Sequence, residues 1–589
     1  MYTAPVDEIT FTLKHVAGLA AELDAGTFGE LSEDLVDAIL VEAGRFAGEE
    51  VAPLAAAGDR EGAVLDGGQV TMPRGWRELY HRWRAAGWNG LSAPAAYGGQ
   101  ALPTMLSVAA IEMWNGGSMA FGIGPTLTMG AVETIERHAD EALKERYLAK
   151  LVSGEWMGTM NLTEPQAGSD LGALRCRAEP AGDGTYRLFG QKIFITYGDH
   201  DLTDNIVHLV LARLPDAPPG TRGLSLFLVP KVIPAADGGA GRRNDVLCAG
   251  LEDKLGIHAS PTCTMVYGDG IAGDPPGALA WLVGEPNRGL AAMFTMMNNA
   301  RLAVGMQGVA VAERATQLAS AYAAERRQGR AEGYDGPGMA PISRHPDVQR
   351  MLLTMRAMTA AARAIAYCCA HAIDRARPGG DGTAHWQARA NLLTPVAKAF
   401  STDVGVEVAS LGIQVHGGMG YIEETGAARL YRDARIAPIY EGTNGIQAID
   451  LVTRKLPLEA GAHVHGYIAE LGRTVEAVRL ANRPGFGQTA ERLASALAEL
   501  TQATHHLQAC LAEGRSDAAL AGATPYLRLF ALAAGGVYLA KAALADGSDR
   551  RTPLCRFFAE NLVDETASLA RRVTGGADSL ASAAAALIA

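Results

Sequence analysis

The stretch IAPIYEGTNGIQ, residues 436–447, holds one carboxylate, Glu441, between an apolar approach stiffened by Pro438 and the glycines Gly442 and Gly445. An acid among apolar neighbours has its charged form disfavoured, so its pKa rises from about 4.3. A base brought to about pKa 6–7 is matched to proton abstraction near neutrality. The other reading is a partly exposed loop glutamate.

Further segments carry groups of possible use. MNLTEPQAGSD, residues 160–170, offers the hydroxyls of Thr163 and Ser169 and a turn rich in backbone N–H groups. These suit a polar ring edge or a pyrophosphate, or else form a plain connector from helix to strand. QKIFITYG, residues 191–198, reads as a strand with Phe194 and Thr196 on one face. That pair could flank a flat heteroaromatic, or belong to an ordinary half-buried strand. HGGMGYIEETG, residues 416–426, lets backbone approach a ligand where no Cβ intervenes, or merely caps a helix. Arg301 and the cations of AAERRQGR, residues 323–330, could pair with phosphates or be solvated surface. The methionines of MFTMMNN could line an adaptable pocket or pack in a core.

Several chemistries are argued against. No GxGxxG opens a helix after a strand, and GxxxxGK[ST] and GxSxG are absent. Lys plus Arg number 52 against 64 acids, a net charge of -12, which disfavours nucleic acid. The seven cysteines include no CxxC and no Cys/His set with zinc spacing, so no metal site is expected and a reducing cytoplasm is the simplest setting. The opening MYTAPVDEIT lacks the basic-then-apolar order of a signal peptide. The apolar stretch YLRLFALAAGGVYLAKAALA carries Arg528 and Lys541, so a buried helix is expected there rather than a transmembrane segment.

These residues must be held by three textures of chain. Helical periodicity dominates to about residue 155, as in LSEDLVDAILVEAGRFAGEEVAPLA, which opens on Ser32 and ends near Pro53. From 156 to 285 come short β-branched and aromatic runs (TYRLFGQKIFITYG, NIVHLVLARL, GLSLFLVPKV) separated by turn stretches such as EPAGDG, LPDAPPG and AADGGAGRR. Long helical patterns then resume and continue into an Ala-rich tail. The order is not the strand–helix alternation of a doubly wound sheet.

Taken in order, MNLTEPQAGSD, KIFITYG, ARLAVG, ERRQGR, IQVHGGMGY and RLYRDARIAPIYEGTNGIQ resemble the acyl-CoA dehydrogenase family over about residues 40–455. The strip YTAPVDEITFTLKHVAG and the C-terminal extension resemble a narrower subgroup, which includes 3-methylmercaptopropionyl-CoA dehydrogenases and some bacterial fatty acyl-CoA dehydrogenases. The resemblance implies a mainly α fold with a central β domain. Its parts would be an N-terminal extension (1–35), a helical domain (36–155), a middle β-barrel (156–285), a four-helix-bundle catalytic domain (286–457) and an extra C-terminal helical domain (458–589).

It also implies FAD, held without a Rossmann fold. Met160, Leu162 and Thr163 would line the flavin ring, with Phe194 and Thr196 on its other side, and Ser169 would touch the pyrophosphate and the CoA arm. Arg326, Gln328, Gln414 and Gly418 match positions that hold the FAD of a neighbouring subunit, and Thr443, Asn444 and Gly445 match its other contacts. Asn298, Arg301 and Gly442 fall on substrate-contacting segments, and Glu441 on the base. The implied reaction is oxidation of a saturated acyl-CoA to the 2,3-enoyl-CoA, with electrons passing to an electron-transfer flavoprotein. The expected substrate is 3-(methylthio)propanoyl-CoA, with straight-chain fatty acyl-CoA as the alternative and an acyl-CoA oxidase as a further one. The expected assembly is a homodimer.

Overall fold

The structure is a computed structural model that describes residues 2–235, 241–273, 275–377 and 382–588; the stretch AADGGAGRR lies partly outside them. The chain forms two compact units, one of residues 45–103 and 117–300, the other of residues 2–44, 104–116 and 301–589.

The principal helices before the sheet are α1 (Glu33–Phe46), α2 (Thr104–Gly117), α3 (Met119–His138) and α4 (Glu141–Val152). The main sheet contains β1 (Met157–Asn161), β2 (Arg177–Pro180), β3 (Tyr186–Thr196), β4 (Ile206–Arg213), β5 (Leu224–Pro230), β6 (Val246–Leu251), β7 (Thr262–Tyr267) and β8 (Ala278–Val283). After it come α5 (Gly289–Glu325), α6 (Pro346–Arg375), α7 (Thr383–His416), α8 (Asn444–Asp450), α9 (Ala462–Ala481), α10 (Thr489–Ala512) and α11 (Ala523–Ala545).

In the first unit the strands lie in the order β6-β7-β3-β8-β5-β4-β1, with β2 pairing β3 and β4. Pairing is antiparallel except where β4 meets β1 and, at a single point, β2. The apolar runs NIVHLVLARL and GLSLFLVPKV are explained by two covered faces. Val207, Leu209, Leu211, Leu224, Leu226 and Leu228 enter one core, while Val210, Ala212, Phe227 and Val229 enter the other, with the period of two that a strand imposes. Helix α3 seals the first face over β1. A Cβ at Gly158 would lie 2.6 Å from the Ala131 side chain, and the Gly158 N–H donates to Thr128 Oγ1 at 3.1 Å.

In the second unit, α5 from Arg301 onward packs on α7 by backbone-to-backbone approach. A Cβ on Gly308 would come within 2.1 Å of the Ser401 carbonyl, and one on Gly405 within 2.9 Å of Gly308 Cα. The apolar helix α11 lies in the core of this unit, with 83% of its most apolar window buried. Gly535 meets Ala361 of α6 there. The N-terminal strip is clamped among these helices. Glu22 binds His371 and Arg375, and Lys541 donates to the Val16 carbonyl at 2.8 Å. Ser32 Oγ accepts the Leu35 N–H at 3.2 Å and so opens α1, which widens into a π turn at Ala47–Val51 before Pro53.

Candidate active site

The residues singled out by sequence fall into two sets, one in each unit. In the first unit β1 ends at Asn161, and the chain leaves the sheet through Leu162 and Thr163. Glu164 fixes this departure. It is buried, lies 2.8 Å from Lys192 Nζ, and accepts the backbone N–H groups of Arg175 and Cys176 at 2.7 and 3.0 Å. Burial pushes its carboxyl up, but Lys192 and these donors outweigh it and hold it down at about 2. Lys192 also donates to the Leu162 carbonyl at 2.9 Å. Sequence reasoning passed over this pair, because nothing local marks either charge as buried.

Strand β3 meets the same segment through the Ile193 N–H, which donates to the Thr163 carbonyl at 2.9 Å. The β3–β7 register slips between Cys263 and Met265, so Ile193 and Phe194 together oppose Thr264, as in a bulge. Phe194 has a φ of +61°, in the left-handed region, and is 58% exposed. Ile195 beside it is buried, which leaves Phe194 and partly buried Thr196 on one side, although through a bulge and not a regular alternation. The Thr196 carbonyl accepts Thr159 Oγ1 at 2.7 Å. Met160 is buried and Ser169 exposed. A large aromatic held out to solvent on strained backbone beside Leu162 and Thr163 fits a flat heteroaromatic ring such as isoalloxazine. Met293 and Met296 are core residues, whereas Asn298 is exposed.

The second unit holds the acid. Glu441 and Gly442 are both left-handed, with φ of +55° and +84°. Thr443 Oγ1 accepts the Ile446 N–H and caps α8, and the Asn444 N–H donates to the Pro438 carbonyl at 3.0 Å, closing the loop. The Gln447 amide, fully buried, donates to the carbonyls of Glu441 and Gly442 at 3.4 and 3.3 Å. A Cβ at Gly442 would lie 2.6 Å from that amide nitrogen, so the position needs glycine on two counts. Tyr440 OH donates to Gln307 Oε1 on α5.

The Asn444 side chain is committed inward. It accepts from Lys398 Nζ at 2.9 Å and donates to the Ala399 carbonyl at 3.1 Å and Asp403 Oδ1 at 2.7 Å. Glu441 is partly exposed, and desolvation by its surroundings nevertheless raises its carboxyl from 4.5 to about 7, although Lys398 and then Arg301 pull it down. Lys398, in the apolar run LLTPVAKAF, is the residue that sequence reasoning missed; a lysine inside a helical core pattern was its only signal.

Arg326, Gln328, Gln414 and Gly418 are all exposed. Tyr322 of α5 stacks on His416 of α7 with centroids 4.4 Å apart, which brings side by side the ends of the two helices; Gln414 lies on α7, and Arg326, Gln328 and Gly418 follow just beyond the helix ends. Gly445 is exposed, and Arg301 is buried.

Family models match nearly the whole chain. Those described as acyl-CoA dehydrogenase N-terminal, middle and C-terminal domains cover residues 34–155, 159–269 and 287–456, and one described as acetyl-CoA dehydrogenase C-terminal like covers 467–584. The chain is 45% identical over 594 residues to the 3-methylmercaptopropionyl-CoA dehydrogenase of Ruegeria pomeroyi, across 99% of each chain. Among solved structures it resembles Caenorhabditis elegans ACDH-11 in complex with C11-CoA, with a TM-score of 0.77, 22% identity and 97% of this chain and 95% of that one covered. It also resembles an acyl-CoA dehydrogenase from Bacillus anthracis complexed with FAD, with a TM-score of 0.73, 22% identity and 92% and 88% covered. With an exposed aromatic beside a strand-end connector in one unit, a raised carboxyl on a strained loop in the other, and sequence likeness from end to end, the chain belongs to the acyl-CoA dehydrogenase family of FAD-dependent oxidoreductases.

Proposed function

We propose that this acyl-CoA dehydrogenase oxidises 3-(methylthio)propanoyl-CoA to its 2,3-enoyl-CoA, with Glu441 as the base. The observation that carries the role of Glu441 is its carboxyl, raised to about 7 on a loop that holds it in a left-handed conformation. An α-hydrogen beside a thioester is a weak acid, and its removal needs a base whose proton affinity is matched to neutral pH. The Glu441 N–H would donate to the thioester oxygen and stabilise the developing enolate, while Gly442 keeps a side chain away from it. FAD, when bound, supplies the acceptor for the hydride that leaves the β-carbon.

Met160, Leu162, Thr163, Phe194 and Thr196 would hold the flavin ring, and Ser169 the pyrophosphate and the CoA arm. Arg326, Gln328, Gln414 and Gly418 would serve the FAD of a partner copy, with Thr443, Asn444 and Gly445 shaping the loop beside it, so the working form is a homodimer. Asn298 and Arg301 would face the acyl-CoA. An electron-transfer flavoprotein takes the electrons, and the setting is cytoplasmic, consistent with seven cysteines present as thiols. The substrate assignment draws on end-to-end likeness to the Ruegeria enzyme, both extensions included.

The test is anaerobic titration of the bound flavin with a panel of acyl-CoAs. Fastest bleaching by 3-(methylthio)propanoyl-CoA supports the substrate, whereas faster bleaching by octanoyl-CoA makes the enzyme a fatty acyl-CoA dehydrogenase. Peroxide released on aerobic turnover would make it an oxidase. Glu441→Gln should bind FAD yet lose bleaching by several orders of magnitude, and retained bleaching would assign the proton to another group.

A further inference from the structure

Lys398 sits in α7 with 0% of its surface exposed. Buried cations are costly unless matched by a close acid, and others in this protein are matched. Lys192 lies 2.8 Å from Glu164, and Arg363 lies 2.7 Å from Glu112. Lys398 differs: among the described residues no carboxylate lies within ion-pair distance of it, and its one hydrogen bond runs to the neutral amide oxygen of Asn444 at 2.9 Å. Asn444 begins α8, and its own N–H closes the loop that carries Glu441. The ammonium therefore grips the base loop at its anchor and leaves its charge directed at a base it does not touch.

The charged groups around this centre come from several elements. Lys398 and Asp403 lie on α7, Arg301 on α5, Glu441 and Tyr440 on the loop, and Asp450 on α8, with Arg454 and Lys455 just beyond. Glu441 and Asp403 favour the ammonium, and Arg301 opposes it.

We propose that Lys398 is a positioning residue for proton abstraction: its charge favours the carboxylate form of Glu441, and its hydrogen bond to Asn444 fixes the left-handed loop. The proposal rests on the reading of Glu441 as base. Burial brings the Lys398 ammonium down to about 7, so its charge is present on the acid side of neutrality and is lost as the pH rises. On that acid side the charge helps Glu441 to ionise. Without it, Glu441 ionises only at higher pH, and the acid limb of flavin reduction moves upward. Arginine at 398 keeps its charge at every pH.

The experiment measures the rate of flavin reduction in the holoenzyme by 3-(methylthio)propanoyl-CoA, or by butanoyl-CoA if the first is inert, as a function of pH. Wild type, Lys398→Met, Lys398→Arg and Glu441→Gln are compared. An infrared titration of the Glu441 carboxyl, as the difference between each holoenzyme and its Glu441→Gln counterpart, gives the same pKa without turnover. Lys398→Met should move the acid limb and the infrared pKa up together by about one pH unit, and Lys398→Arg should leave both at or below the wild-type value. Equal rate losses at all pH values, with neither limb nor infrared pKa moved, would overturn the proposal and leave Lys398 a packing residue. Bleaching retained in Glu441→Gln would instead overturn the reading of the base, whatever the lysine variants do.

Discussion

Replacing Glu441 by glutamine should make the protein more stable as well as inactive, and the gain should grow with pH. The folded carboxyl titrates at about 7, against 4.5 for an ordinary glutamate. Between these values the unfolded chain has already released the proton that the folded chain keeps. The sign follows: a folded state that binds more protons loses stability as pH rises, until the folded carboxyl has itself ionised. A gap of about 2.5 pH units, at about 1.4 kcal/mol each, amounts to about 3–4 kcal/mol lost by the wild type above neutrality. Glutamine has nearly the same shape and nothing to ionise, so the variant escapes that loss. Melting temperatures of the two holoenzymes, measured from about pH 5 to about pH 8.5, should nearly coincide at the acid end and diverge in favour of the variant at the alkaline end. A difference that stays flat across the range, or a variant that melts lower at the alkaline end, would refute the claim that burial dominates at this carboxyl.

Three further outcomes follow from local geometry. Gly442→Ala forces a Cβ against the Gln447 amide in a left-handed conformation; it should cost about 1–2 kcal/mol in chemical denaturation and slow flavin reduction about 100-fold by misplacing Glu441, the proposed base. Lys192→Met strands the buried Glu164 carboxylate, at a cost of about 3–5 kcal/mol. Because that pair holds Leu162 and Thr163 in place, flavin should dissociate during gel filtration, and FAD retained at wild-type occupancy would count against the assignment. Phe194→Gly relieves a left-handed aromatic and should raise the melting temperature of the apoprotein, a gain of about 1 kcal/mol, while weakening FAD binding in a fluorescence titration.

Much of the scaffold was legible because it rests on periodicity. The strands in NIVHLVLARL and GLSLFLVPKV, the buried tail helix and the cap at Ser32 all follow from local pattern. The sequence also pointed to Glu441 as an acid with a raised pKa. Other features depend on contacts between residues far apart in the chain. Lys398 acts on Glu441 from 43 positions upstream by way of Asn444, a residue read only as a cofactor contact. The bulge at Phe194 requires the register of β7, which the strand's own alternation cannot reveal. Glu164 and Lys192 look like surface charges until the connector folds back and buries both.

Left-handed backbone gives a warrant for the site that does not depend on family likeness. Among the described residues ten non-glycine positions have positive φ, and two of them are the aromatic assigned to the flavin and the acid assigned to the thioester. Glycine at either position would remove about 1 kcal/mol of strain. Neither strain is explained by a turn that any residue could make: at Phe194 it holds a ring out to solvent, and at Glu441 it holds a carboxylate that burial already disfavours. At 441 two separate costs, conformational and electrostatic, fall on one side chain. Folding alone would favour a glycine there, so the glutamate is best understood through chemistry that needs a carboxylate at that point of the loop.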